Sequence, residues 1–300
     1  MVFEGVFAVL PTPFDAGGDV DEASLRRVVR LYLEAGVDGL TALGVTSEVA
    51  RLDDAERERV LAVVLDEVGG RVPVVAGTTA EGTRACAGYS RRAVAAGAAA
   101  VMVSPPRLAK PASEVIVRHY RAIADAIEAP IVIQDYPPVS GYAVEPWLLV
   151  RIAREVPQAR VIKLEDAPTP FKTARILEAA GELELRILGG LGGVYLLEEL
   201  LAGAHGAMTG FAFPELLVRI VRLFRAGRIE EAAELFYRTV PLMRFEFQES
   251  IGLAIRKEVL HRRGAIAHPG TRAPGPALDA ATRAALDRVL AWVQAQEPVG

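Results

Sequence analysis

The 300 residues predict an α/β fold: a closed (β/α)8 TIM barrel with a C-terminal helical extension. Three observations predict it. Short apolar segments alternate with longer amphipathic ones eight times in a single run, the pattern of strand–helix units around a parallel sheet. The chain is long enough for such a barrel, which takes roughly 250 residues, with a remainder for extra helices. The glycine pattern GxGxxG is missing after the first apolar segment, which counts against a dinucleotide-binding, doubly wound sheet.

Residues 5–10 read as the first strand and residues 22–35 as its helix, with Leu25, Val28, Val29 and Leu33 spaced along one face. Residues 39–43 are the second strand. The helix 53–68 follows, with acids in its first turn and Gly69 and Gly70 to stop it. The alternation then repeats as strand 72–76 with helix 83–96, strand 99–104 with helix 112–127, and strand 131–134 with helix 146–155. Strand 161–164 with helix 168–180, strand 186–188 with helix 194–202, and strand 206–209 with helix 214–226 complete eight units. Residues 1–228 are thus the expected barrel. Residues 229–263 read as one long helical stretch, and a Gly/Pro-rich segment, 264–276, links it to a last helix at 279–293. Residues 229–300 are expected to be a helical appendage of the same domain.

Composition narrows the function classes. A hydrophobic content of 51% supplies a large core, yet glycine or charge interrupts every apolar run before it reaches membrane-spanning length. The N-terminus has no basic region and enters a strand within a few residues, so no secretory leader is expected. Cys86 is the single cysteine, which excludes an internal disulfide, fits a reducing compartment and is expected as a small buried apolar group. A net charge of −4 argues against a nucleic-acid surface. The expectation is a soluble, cytoplasmic protein with no nucleic-acid or membrane partner.

Of 34 basic residues only four are lysines, namely Lys110, Lys163, Lys172 and Lys257. Lys163 ends the apolar run of the sixth strand. Where any cation would serve, this chain uses arginine, so a lysine at a buried strand end suggests a task that guanidinium cannot perform. A desolvated lysine can lose its proton and attack a carbonyl. Barrel chemistry sits at the C-terminal ends of strands, and three other ends are informative. The second runs into Gly44, Val45, Thr46, Ser47 and Glu48: Gly44 allows a tight turn, while Thr46 and Ser47 offer hydroxyls and amides suited to a carboxylate, or alternatively a helix cap. The fifth ends at Tyr136, one strand from Lys163, where a phenol can relay protons. The seventh runs into a glycine loop beginning at Gly189; no basic residue lies between Leu188 and Leu201, which disfavours phosphate binding there. Glu165, two residues beyond Lys163, reads as a solvated loop acid; if strand alternation continues it faces the interior and assists a dehydration.

In this order the positions resemble the dihydrodipicolinate synthase / N-acetylneuraminate lyase family. Gly44 to Glu48 resembles that family's Gly-x-Thr-Gly-Glu loop, Tyr136 its fifth-strand tyrosine and Lys163 its Schiff-base lysine. The stretch from Gly203 to Pro214 looks like its eighth strand, and Ala50 to Arg57 like the opening of its second helix. The resemblance implies a lyase acting on pyruvate or a pyruvate-derived 2-oxo acid, with an aldehyde as second substrate, needing no cofactor and no metal, and assembling as a homotetramer or dimer. Lys163 and Tyr136 are then the catalytic residues, and Gly44, Thr46, Ser47, Gly189 and Thr209 bind substrate. Two departures stand out. Ser104, Pro105, Pro106 and Arg107 occupy the place where the synthases carry a Tyr-Tyr pair. Pro137 to Gly141 follows Tyr136 where the synthases place an arginine and the lyases Asn or His. The expected activity is C–C bond making or breaking through a lysine imine, with imine-dependent dehydration or decarboxylation of a sugar-acid-derived 2-oxo acid as the alternative. A non-catalytic oxo-acid-binding barrel is the reading from another class.

Overall fold

The computed structural model describes residues 2–295. Eight parallel strands, β1 (Gly5–Val9), β2 (Gly39–Ala42), β3 (Val74–Gly77), β4 (Ala100–Val103), β5 (Ile131–Asp135), β6 (Val161–Leu164), β7 (Arg186–Gly189) and β8 (Gly206–Thr209), close in sequence order, with β8 pairing back to β1. Their runs are almost wholly buried because both faces are covered. Alternation sorts the side chains. Phe7, Val75, Met102, Val132, Val161 and Met208 fill the barrel interior as one cluster. Val6, Val74, Val101, Ile133 and Ile162 pack outward against the helices.

The helices on the outside are α1 (Glu22–Glu34), α2 (Asp54–Val68), α3 (Thr83–Ala96), α4 (Ser113–Ala124), a single turn α5 (Pro137–Ser140), α6 (Pro146–Glu155), α7 (Thr169–Ala180), α8 (Leu196–Leu201) and α9 (Pro214–Arg225). Their ends follow from their sequences. Asp53 and Glu56 form a reciprocal capping box at the start of α2, and Gly69, at φ +55°, ends it. The buried face of α1 is completed by Tyr32 rather than by Leu33. Tyr32 lies seven residues after Leu25, on the same face, and its buried hydroxyl donates to the Phe211 carbonyl at 3.2 Å. Cys86 is buried, and burial pushes its thiol up to about 11.

The long helix expected over residues 229–263 is instead two, α10 (Ile229–Glu246) and α11 (Gly252–Arg262), followed by α12 (Ala280–Ala295). Gly252 packs so closely on the Glu246 carbonyl that a Cβ there would lie 2.3 Å from that oxygen. The chain therefore doubles back between the two helices, with Ser250 at φ +67°.

The tail is tied to the barrel mouth by buried charges. Fully buried Lys257 on α11 pairs with Glu48 and donates to the Gly270 carbonyl at 3.1 Å. The Arg272 backbone N–H reaches the other Glu48 oxygen at 2.9 Å, and its guanidinium grips both oxygens of Glu56 at 2.6 Å each. Both cations lie over the Phe14 ring, at 4.4 and 4.3 Å from its centre. Among the described residues no helix is long and apolar enough to cross a membrane, and no cluster of His, Cys, Asp or Glu is arranged to hold a metal ion.

Candidate active site at the C-terminal mouth of the barrel

Strand periodicity decides which side chains enter the barrel. Val132 and Val161 belong to the interior cluster, so residues two further on, Gln134 and Lys163, point inward one layer nearer the C-terminal end. These two are register partners across β5 and β6. Lys163 is only 4% exposed. Its Nζ lies 3.0 Å from Glu165 Oε2, and the same oxygen accepts from Gln134 Nε2 at 2.8 Å. Gln134 Oε1 accepts in turn from Ser104 Oγ at 3.0 Å, and the Ser104 N–H donates to Thr79 Oγ1 at 2.9 Å. A polar chain thus runs from the end of β4 to the lysine.

Glu165 is the principal correction to the sequence reading. It is not a solvated loop acid, since its side chain is only 10% exposed and bonds to two interior groups. The reason is local. The Glu165 N–H donates to the Asp135 carbonyl at 2.9 Å, so the β5–β6 ladder and its alternation run past the formal end of β6. Gly190 leaves the space: a Cβ there would fall 2.2 Å from Glu165 Cγ.

Tyr136 occupies the next inward position after Gln134 and is half-buried. Burial, then the charges of Glu165 and Glu249, hold its phenol above the usual tyrosine range, so at neutral pH it is a proton donor. Its neighbour Asp135 faces the other way, towards α7, where Lys172 lies 2.6 Å from Asp135 and 2.7 Å from Asp166. One lysine therefore fixes both segments that carry the interior groups, one acid preceding Tyr136 and the other following Glu165. Burial pushes the Asp135 carboxyl up to about 6 against the pull of Lys172.

The loop after β2 turns differently from expectation. Gly44 has φ −79°, and the left-handed positions fall on Leu43 and Glu48, both at φ +58°. Glycine at 44 serves packing: a Cβ would stand 3.0 Å from Val9 Cγ1. Ser47 is buried; its hydroxyl donates to the Leu10 carbonyl and accepts from the Gly44 N–H at 3.0 Å, and its own N–H donates to the Gly44 carbonyl at 3.0 Å. Ser47 shapes the loop, while Thr46 lines the cavity beside Lys163. Gly189 also lies off the cavity, because a Cβ on it would point outward and fall 1.7 Å from Glu199 Oε2. Gly192 of the same loop does line it, at φ +68°, and its N–H donates to Thr209 Oγ1 at 2.9 Å. Thr209 is a lining residue, as is Gly210 beside it.

Phe247 and Arg256 from the tail were not among the sequence candidates, yet they cover the same space. The inner cavity measures about 40 Å³ and meets a vestibule of about 300 Å³, with Thr46, Tyr136, Phe247 and Arg256 lining both. The scarcity of lysine offered a signal for this part of the molecule, since Lys172 and Lys257 are buried as well as Lys163. A larger cleft of about 470 Å³, lined by Arg57, Tyr89 and Arg92, contains none of the candidate residues.

A nearly buried amine in contact with a carboxylate, at the inner end of an open barrel mouth, is suited to attack on a small carbonyl compound. Comparison with known proteins agrees. The sequence model of the Dihydrodipicolinate synthetase family matches residues 2–292. An L-2-keto-3-deoxyarabonate dehydratase of Azospirillum brasilense is 36% identical over 286 residues, covering 94% of this chain and 92% of that protein. A 4-hydroxy-tetrahydrodipicolinate synthase of Methanopyrus kandleri is 34% identical over 269 residues, 85% of each chain. The crystal structure of the dihydrodipicolinate synthase from Rhodopseudomonas palustris superposes with a TM-score of 0.91 at 35% identity, covering 96% of this chain and 97% of that one. The chain belongs to the Dihydrodipicolinate synthetase family and is a lyase of the aldolase or dehydratase type.

Proposed function

We propose that this protein is an imine-dependent dehydratase of a short 2-oxo acid bearing a hydroxyl two carbons beyond the carbonyl, a 3-deoxy sugar acid in its oxo form. The observation that carries the reading is the Glu165 carboxylate, 3.0 Å from Lys163 Nζ and held by Gln134. Glu165 is the nearest acceptor for the proton that Lys163 sheds before it attacks C2. Tyr136 donates a proton to the carbinolamine hydroxyl, which leaves as water and gives the imine. The imine acidifies C3. Glu165 takes a C3 proton and the electron pair moves into C2–C3 as the imine becomes an enamine. The pair then returns to form C3=C4 and the imine, and the C4 hydroxyl departs as water with the proton that Glu165 gives it. One water is lost, no oxidant or metal enters the balance, and hydrolysis of the imine releases Lys163. Thr46 binds the C1 carboxylate.

The Azospirillum relative, a dehydratase by name, supports water loss over C–C cleavage. Cleavage remains the second reading, favoured by the same lysine and tyrosine. By family resemblance the protein is a cytoplasmic homo-oligomer. Glu165→Gln tests the proposal. The variant should form a borohydride-reducible imine with 2-keto-3-deoxypentonate more slowly but still accumulate it, while water loss from that imine, read as the oxidisable dehydrated product, falls by about 10²-fold or more. Wild-type release of pyruvate and an aldehyde without dehydration would establish cleavage instead.

A further inference from the structure

Arg256 reaches the site from α11, which covers the mouth, and is only 3% exposed. Its Nε donates to Glu246 Oε1 at 2.5 Å, and the other Glu246 oxygen accepts the Ala212 N–H at 3.1 Å. Both carboxylate oxygens are therefore engaged, and the guanidinium edge bound to Glu246 is fixed. Arg256 Nη1 is buried with no hydrogen-bond partner. It lies directly over Gly210, where a Cβ would stand 2.1 Å from Nη1. A buried guanidinium N–H left without an acceptor carries an uncompensated desolvation cost. The Arg256 side chain and Gly210 beneath it both line the cavity that contains Lys163.

The strand order gives this donor its place along the substrate. Glu165 follows β6, Gly192 follows β7 and Gly210 follows β8, whereas Thr46 follows β2 on the other side of β1. With the C4 hydroxyl at Glu165, Gly192 and Gly210 follow on the next two strands and line the same cavity with Arg256, which leaves that side for the end of the chain beyond C4. We propose that Arg256 Nη1 binds the oxygen at the far end of the substrate, beyond the reacting carbons, and so selects 2-oxo acids that carry a terminal hydroxyl. This assignment rests on the imine reading above; it does not require that water, rather than a C–C bond, is lost. The bare Gly210 is part of the same device, since any side chain there would displace the guanidinium.

The test uses imine trapping, which needs no turnover. Half-saturating concentrations for borohydride trapping on Lys163 are measured with 2-keto-3-deoxypentonate and with 4-hydroxy-2-oxopentanoate, a chain of equal length that keeps the C4 hydroxyl and lacks only the distal one. The wild type should prefer the acid with the C5 hydroxyl, and Arg256→Met should reduce that preference by about 10-fold or more, as for a lost charged hydrogen bond. Arg256→Lys should lose the preference too, since its ammonium is taken up by Glu246, and it keeps that buried carboxylate paired if the Met variant does not fold. Equal weakening of both acids, or no change in their ratio, overturns the assignment. A collapsed preference in an enzyme that proves to cleave rather than dehydrate upholds Arg256 and rejects the dehydratase reading alone.

Discussion

Glu165 Oε2 lies 3.0 Å from Lys163 Nζ, at the end of a hydrogen-bonded chain through Gln134 and Ser104. In the proposed dehydration this pairing joins the two halves of the chemistry, because the group that would accept the lysine's proton would also move protons on the substrate. It also gives Ser104 a role. Its hydroxyl donates to Gln134 Oε1 at 3.0 Å and so orients the amide that holds Glu165.

Tyr136 should behave as an acid–base group. Tyr136→Phe is expected to lower kcat by about 10²- to 10⁴-fold, with a smaller effect on KM. Steady-state kinetics decide the matter: near-wild-type kcat would make Tyr136 a packing residue.

Aspartate semialdehyde should be a poor partner. Tyr136 leads into the single turn Pro137–Ser140, and that turn contributes no arginine to grip a second carboxylate. A missing charge-assisted contact costs roughly 1.5–3 kcal/mol, about 10- to 150-fold in binding. With pyruvate as co-substrate, kcat/KM for the semialdehyde is expected below about 10⁴ M⁻¹s⁻¹, the lower end of the ordinary enzyme range. A higher value would mean that other residues replace the arginine.

The Lys257–Glu48 pair should be a stability determinant. Each group is fully or almost fully buried. Lys257→Met removes one of two cations on Glu48 and leaves Arg51 on its other oxygen at 2.6 Å, so it should destabilise in denaturant unfolding by less than the roughly 3–5 kcal/mol of a fully unpaired buried charge. Lys257→Met combined with Glu48→Gln should cost less than Lys257→Met alone. A double variant as unstable as the sum of the two single ones would show that the pair is not coupled.

Glu199 sets a pH signature. Burial raises its carboxyl from 4.5 to about 8, with Thr169 donating to it at 2.6 Å. The folded state then holds a proton that the unfolded state releases, so this group's contribution is complete below pH 4.5 and is lost as pH rises to about 8. Glu199→Gln should therefore gain melting temperature relative to wild type from pH 5 to 8, with the gain levelling above that. A gain that shrinks as pH rises would contradict the assignment.

The legible parts of this molecule were those encoded locally. Eight strand–helix alternations are visible in hydrophobic period alone, and Lys163 stood out through lysine scarcity and its place at a strand end. Glu165 was misread because a sequence does not show where a ladder stops; one bond to the Asp135 carbonyl carries the alternation past β6. The left-handed turns at Leu43 and Glu48 fall on residues without glycine's signature, so the loop's shape was placed on Gly44. Arg256 and Lys257 fall inside the stretch expected as one long helix, 229–263. Their burial depends on Glu246, across the break at 247–251, and on Glu48, at the far end of the barrel sequence. Neither relationship leaves a periodic trace.

The most direct measurement is the site of imine formation. Incubation with pyruvate and borohydride, followed by peptide mass mapping, should add one reduced pyruvyl group to Lys163 and leave Lys110, Lys172 and Lys257 unmodified. Lys163→Arg should take up none, because guanidinium does not form the imine at neutral pH. Modification of another lysine, or of none with any 2-oxo acid, would contradict the account at its centre.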